Sequence, residues 1–259
     1  TSIMTKILGP ENIRSYSIGL EGSTDLKYAR RVSEYLGTEH TEIKLSVNEC
    51  ISAIPNVIND IATYDITTIR ASVFMWKLAE YISTHTDDKV IFSGEGSDEL
   101  FCGYLYFHYA PSSDDAYRES LRLVKELPKY DVLRADGCIS SHGLELRVPF
   151  LDTDVVNVAM TIPSNMKIPQ NGFEKYTLRK AFEHNYLPAD IIWRRKEGMS
   201  DGVSSLQNPW YSYIQDYAET VITDAEFVTA SFPSKEAYMY YKIFKNFYPT
   251  YDFKINYWM

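Results

Sequence analysis

Lys89-Val90-Ile91-Phe92-Ser93-Gly94-Glu95-Gly96-Ser97-Asp98-Glu99 holds a compact apolar run that stops abruptly at a glycine-rich acidic loop. The run reads as a strand and the residues after Glu99 as the start of a helical stretch. In an open parallel sheet, ligands sit beyond the carboxyl ends of the strands, which is where this loop falls. Two glycines let backbone approach a ligand closely, and a following helix start offers unpaired amides to an anion. Three carboxylates in five residues suit an anion only if a divalent cation bridges them to phosphate oxygens. The competing reading is local: Ser97 and Asp98 capping a helix.

Upstream, Arg14 to Leu20 is rich in β-formers and ends in the turn Glu21-Gly22-Ser23-Thr24. Leu26, Ala29, Val32, Tyr35 and Leu36 then recur at helical spacing, with Gly37 placed as a left-handed terminator. His40 to Leu45 alternates as a second strand, and Ser46 with Glu49 makes a capping-box pattern before Ile51, Ile54, Val57 and Ile61. A further helix is expected over Ala71 to Ile82. The β-α-β-α order predicts an α/β protein with a doubly wound parallel sheet covered on both faces. Beyond Phe101 helical patterns dominate, at Ala116 to Glu126, Val132 to Ser141, Asp154 to Met160, Glu174 to Glu183 and twice near the end, so an all-helical layer is expected there. The division falls between an α/β part, 1–110, and a helical part, 111–259. Tyr238, Tyr240, Tyr241, Phe244, Phe247, Tyr248, Tyr251, Phe253, Tyr257 and Trp258 form an aromatic stripe whose first reading is packed core or an inter-subunit face.

The 259 residues are 45% apolar, enough for a sizeable core. With 26 basic against 35 acidic residues and a net charge of -9, nothing favours nucleic acid or an anionic membrane as partner. No run approaches the length of a membrane helix, and the first residues lack a secretory pattern. Cys50, Cys102 and Cys138 are odd in number and free of any CxxC pair, which fits a reducing cytoplasm. The five histidines show no metal-ligand spacing.

Three other segments carry groups able to clamp anions. Thr67, Thr68 and Arg70 place two hydroxyls and a guanidinium within four residues, although Thr67 and Thr68 also suit a helix start with Arg70 solvated. Tyr130-Asp131-Val132-Leu133-Arg134 and the stretch from Gly143 to Asp152 alternate charged with apolar residues, as buried ion pairs would. Arg194-Arg195-Lys196 runs into the turn Glu197-Gly198-Met199-Ser200-Asp201-Gly202, where a cation can swing over a phosphate or simply be solvated.

Taken in order, these segments resemble the synthetase domain of glutamine-hydrolysing asparagine synthetases. The resemblance runs through Ser15 to Lys27, Tyr64 to Ser72, Ser93 to His108, Gly143 to Asp152, Ser200 to Val203 and Ser234 to Tyr238. It implies a fold of the adenine nucleotide alpha-hydrolase kind, ATP pyrophosphatase type, with ATP and magnesium as cofactors. The implied activity converts the aspartate side-chain carboxylate to an acyl-adenylate, releases pyrophosphate, and admits ammonia to give asparagine and AMP. The resemblance also assigns roles. Ile18 lies against adenine, and Ser93 and Gly94 bind the nucleotide. Glu95 positions substrate or accepts the ammonia proton, and Asp98 ligates magnesium. Thr67, Thr68 and Arg70 line the substrate and pyrophosphate pocket, Asp131 and Arg134 lie nearby, and Lys196 stabilises the departing phosphates. Relatives that close a β-lactam ring or amidate another carboxylate, and a non-catalytic homologue, are the alternatives; a phosphohydrolase using Glu95, Asp98 and Glu99 rests on the carboxylates alone.

The pattern departs from the family in places. The family's Ser-Gly-Gly-x-Asp loop is absent, and Thr1-Ser2-Ile3-Met4 looks like the helix after it. The chain is therefore expected to be a fragment, lacking the first strand, a second magnesium carboxylate and an N-terminal glutaminase domain, and inactive or nearly so alone. That domain is the expected partner, with aspartate, ATP and ammonia or glutamine as small molecules and a homodimer left open. Cys102 stands where the family usually has Gly, and Gly198-Met199 where it often has Gln-Phe.

Overall fold

A computed structural model describes residues 1–205 and 207–251. Strand β1, Arg14–Gly19, pairs in parallel with β2, Glu39–Lys44, in the register Arg14 to Glu39 through Gly19 to Lys44. The helix between them, Thr24–Leu36, is opened by the Ser23 hydroxyl accepting from the Leu26 amide and closed by Gly37 at φ 71°. Ser46 and Glu49 form the expected capping box on the helix Val47–Ile61.

The next helix, Ile66–His85, starts well before Ala71 because the Asp65 carboxylate accepts from the Thr68 amide at 2.7 Å. That cap draws Thr67, Thr68 and Arg70 into the first turns. Strand β3, Val90–Phe92, then pairs in parallel with β4, Glu145–Arg147. β4 corrects the expectation of an all-helical second half: the charge-apolar-charge order of Glu145-Leu146-Arg147 is a two-residue period, with the middle side chain turned inward. The described strands form two separate parallel pairs. Arg14, bonded to Asp88 at 2.9 Å, and Tyr16, whose hydroxyl donates to Asp88 at 2.5 Å, tie β1 to the turn before β3.

A single buried cluster draws on both halves of the sequence, joining Ile18, Ile54, Ile58, Ile69 and Phe74 to Cys138, Trp210, Ile214, Tyr240 and Phe244. The helix Asp131–Ser140 approaches the Val47–Ile61 helix so closely that a Cβ on Gly137 would lie 2.9 Å from Ile61. The stretch expected as helix from Glu174 to Glu183 is helical only over Tyr176–Ala181, since Lys175 turns left-handed at φ 51°. The aromatic stripe is core on one side of the helix Lys235–Phe247: Tyr240 and Phe244 are buried, and Tyr64 packs edge-on against Tyr241 at 5.4 Å. Phe253, Tyr257 and Trp258 lie outside the described residues. Among the described residues no helix is long and apolar enough to cross a membrane.

Candidate functional site

The chain leaves β3 through Ser93, whose amide is held by the Arg147 carbonyl at 2.9 Å, so the acidic loop begins from a fixed point on the paired strands. Gly96 takes φ 88°, and a Cβ there would run into the Leu151 side chain, so turn and packing both require glycine. Gly94 is exposed, with nothing within 4 Å of an added Cβ, and leaves the loop open on that side. The following helical turn, Ser97–Leu100, carries no side-chain cap, so neither Ser97 nor Asp98 is used as the local reading supposed.

Glu95 and Asp98 look into different electrostatic surroundings. Arg134, nearly fully buried on the helix Asp131–Ser140, donates through Nη2 to both Glu95 oxygens at 3.2 Å and to Asp131 at 2.8 Å. Burial raises the Glu95 carboxyl; the guanidinium opposes this, while Asp131 and Asp98 reinforce it, and the net shift is upward. Behind this group, Tyr104 donates to Glu99, and its hydroxyl lies 3.4 Å from Asp131. Burial pushes the Glu99 carboxyl up to about 7.

Asp98 has the opposite company. Its Oδ2 accepts from Lys175 Nζ at 3.0 Å, and Lys196 Nζ lies 3.4 Å from Oδ1. Lys175 also reaches Ser97 Oγ at 3.2 Å. Burial would raise the Asp98 carboxyl, but the two ammonium groups more than reverse this and hold it below its usual range. Oδ1 is buried and has only the long 3.4 Å contact with the Lys196 ammonium, short of good hydrogen-bond geometry. Gly103 backs this carboxylate so closely that an added Cβ would overlap Oδ1.

A buried carboxylate oxygen with so weak a hydrogen-bond partner fits a divalent cation. Among the described residues no group of three His, Cys, Asp or Glu side chains is placed to hold a metal. Magnesium needs few protein ligands when phosphates and water supply the rest, so Asp98 alone is compatible with it.

The remaining expected residues lie around these two centres or apart from them. Ile18 is buried on β1 and borders a cavity of about 450 Å³ that also meets Asp25, Tyr28, Arg194 and Met199. Met199 links that cavity to the Glu95 side, its sulfur lying 3.6 Å from Arg134. Arg194 and Lys196 are part-buried and ion-paired, to Asp25 and Asp98, rather than solvated. Thr67 is exposed and Thr68 buried. Arg70 is neither solvated nor free: Glu236 holds it through two hydrogen bonds. Cys102 sits at φ 51°, a conformation that glycine adopts without strain, and its buried thiol is pushed up to about 11 by desolvation.

Sequence reasoning passed over Lys175, Tyr104, Gly103 and Glu236. Lys175 fell within a helical period, and only its backbone conformation sets it apart. Tyr104, Gly103 and Glu236 lie in the segments that carry the resemblance, but nothing local to Glu236 indicates a partner 166 residues away.

Comparison with known proteins gives a consistent result. A family model described as asparagine synthase matches residues 1–126 and 110–257. The chain is 49% identical over 256 residues to the glutamine-hydrolysing asparagine synthetase of Mesocricetus auratus, covering 95% of this chain and 46% of that protein. The human protein of the same name is 47% identical over 256 residues, with 95% and 46% covered, and that of Gallus gallus 45% over 271 residues, with 100% and 48% covered. The chain thus spans about half the length of the curated relatives it matches.

Proposed function

The chain belongs to the asparagine synthase family, and from that premise we propose that it carries the synthetase site of an ATP-dependent, asparagine-forming ligase. Aspartate is activated at its side-chain carboxylate as an acyl-adenylate with release of pyrophosphate, then amidated by ammonia to give asparagine and AMP. Ammonia comes from glutamine by way of a glutaminase domain, a reading supported by the relatives' description as glutamine-hydrolysing. The proposal extends to a cytoplasmic setting, supported by three buried free cysteines, and to a homodimer as the assembly to test.

The observation that carries this reading is the pairing of opposite charge centres on one loop. Asp98 with Lys175 and Lys196 carries a formal +1, whereas Glu95 and Asp131 with Arg134 carry a formal -1. Pyrophosphate leaving from ATP needs the first; ammonia, which becomes positively charged as it attacks, needs the second. Lys196 and Lys175 stabilise negative charge on the departing phosphates. Glu95, raised by burial, accepts a proton from the attacking nitrogen, with Arg134 and Asp131 holding its carboxylate in place. Bound magnesium would neutralise phosphate charge beside Asp98. Ile18 and the cavity it borders receive the adenine, and Ser93 and Gly94, at the open side of the loop, contact the nucleotide. Thr67, Thr68 and Arg70 bind the anionic substrate groups, the last two anchored in the first turns of the Ile66–His85 helix.

The same reading completes the architecture as a doubly wound parallel sheet of the ATP pyrophosphatase type. Residues 1–110 form its nucleotide-binding part and 111–259 the helical part of the same domain. The contacts of Arg14 and Tyr16 with Asp88 support joining the two strand pairs in one sheet. The decisive experiment supplies the complete protein with ATP, magnesium, aspartate and ¹⁵N-ammonia. Formation of ¹⁵N-asparagine with an equal amount of AMP is expected; ADP as the nucleotide product, or no labelled asparagine, would refute the proposal.

A further inference from the structure

Arg70 is gripped along one edge only. Its Nε donates to Glu236 Oε1 at 2.8 Å and its Nη2 to Glu236 Oε2 at 2.5 Å. Among the described residues Nη1 makes no hydrogen bond. The two partners differ in exposure: the Glu236 side chain is 1% accessible and that of Arg70 22%. Glu236 is itself held, its Oε1 accepting from the Tyr240 hydroxyl at 3.0 Å within the helix Lys235–Phe247. The base of Arg70 is equally fixed, since Trp210 Nε1 donates to its carbonyl at 3.1 Å and the Tyr211 ring lies 5.5 Å from the guanidinium.

A buried ion pair adds little stability over an apolar pair of the same volume, so its retention calls for another reason. A carboxylate that takes the Nε–Nη2 edge fixes the plane and rotation of the guanidinium. It leaves the Nη1 protons, on the part-exposed side chain, oriented and uncommitted. That suits a group that must meet a second anion in fixed geometry.

We propose that Glu236, brought from the C-terminal helix, is a positioning residue that orients Arg70 toward an anionic group of the reactants, either the aspartate carboxylate or pyrophosphate. This rests on the reading of Arg70 as substrate-binding given above. The C-terminal helix thereby belongs to the catalytic apparatus rather than only to the core.

The test compares Glu236→Gln, Arg70→Lys and the double variant in the complete protein. Aspartate KM and the inhibition constant of pyrophosphate are measured by turnover, and binding of aspartate and of inorganic pyrophosphate by calorimetry. Glu236→Gln is expected to weaken one of the two anions by about 10-fold or more while leaving the KM for ATP within about 3-fold, and whichever anion responds identifies the one Arg70 meets. The double variant is expected to lose no more than about 3-fold beyond Arg70→Lys alone, because both changes break one unit. Tyr240→Phe, which removes one hydrogen bond from Glu236 without touching Arg70, is expected to weaken the same anion by about 2- to 5-fold and serves if Glu236→Gln does not fold. Unchanged affinity for both anions in a folded variant, or losses that multiply in the double variant, would overturn the proposal. A wild-type protein without aspartate-dependent turnover would refute the proposed function instead, and the calorimetric comparison would still decide the role of Glu236.

Discussion

Glu95 and Asp98 stand three positions apart on one loop, and their surroundings are inverted. Around Glu95 a single guanidinium serves two carboxylates, all largely withdrawn from water. Around Asp98 two ammonium groups serve one carboxylate. The first centre holds excess negative charge and an upward-shifted carboxyl, and the second holds excess positive charge and a depressed one. One short loop therefore presents separate places for a cation and an anion, which a reaction that expels pyrophosphate and admits ammonia requires. The partners of the two centres come from different elements, so the contrast depends on the tertiary fold and not on the loop alone.

The contrast breaks most severely at Arg134. Replacing it by Ala leaves Glu95 and Asp131 as buried carboxylates without their counterion, and a loss of about 3 to 5 kcal/mol is expected in denaturant titration, along with activity. At Glu99 the test is titration. A carboxyl raised to about 7 in the folded state, against an ordinary value of 4.5, contributes stability that is present below the ordinary value and lost as pH rises through about 7. Wild type should therefore lose about 2 to 3 kcal/mol relative to Glu99→Gln between about pH 5 and about pH 8. Parallel unfolding curves for the two proteins across that range would show that burial does not raise the Glu99 carboxyl behind the negative centre.

At the positive centre, Gly103→Ala would drive a methyl group into Asp98 Oδ1, and about 1 to 3 kcal/mol of destabilisation is expected from overpacking. Native stability and native activity in Gly103→Ala would show that Asp98 needs no fixed position. Ala62 calibrates these effects in the scaffold. It ends the Val47–Ile61 helix exposed at φ 51°, and Ala62→Gly should stabilise the protein by about 0.5 to 1 kcal/mol without altering turnover. A loss of activity there would mean that the charge centres are sensitive to any change in the scaffold.

The scaffold was the more legible part. Ser46 with Glu49, Ser23 and Gly37 act through neighbours within a few residues, so the sequence states their structure directly. Asp65 is equally local but was masked by the apparent start of the apolar period at Ala71. β4 was hidden because a three-residue strand has too few alternations to stand out from the helical patterns around it. The site divided in the same manner. The Ser93 loop declared itself through composition, and the resemblance named Asp131, Arg134 and Lys196. Lys175 and Glu236 became visible only once the chain had folded, because the one depends on a left-handed backbone and the other on a contact spanning most of the chain.

Pyrophosphate release by the complete protein with ATP and magnesium, compared with aspartate, with glutamate and with no amino acid, addresses the division of labour between the two centres directly. Release should require aspartate and disappear in Lys196→Gln, whereas Glu95→Gln, which removes the proton acceptor of the later amidation, should still release about one equivalent of pyrophosphate per site. Release of pyrophosphate or phosphate at the same rate without aspartate, its loss in Glu95→Gln, or its persistence in Lys196→Gln would contradict it.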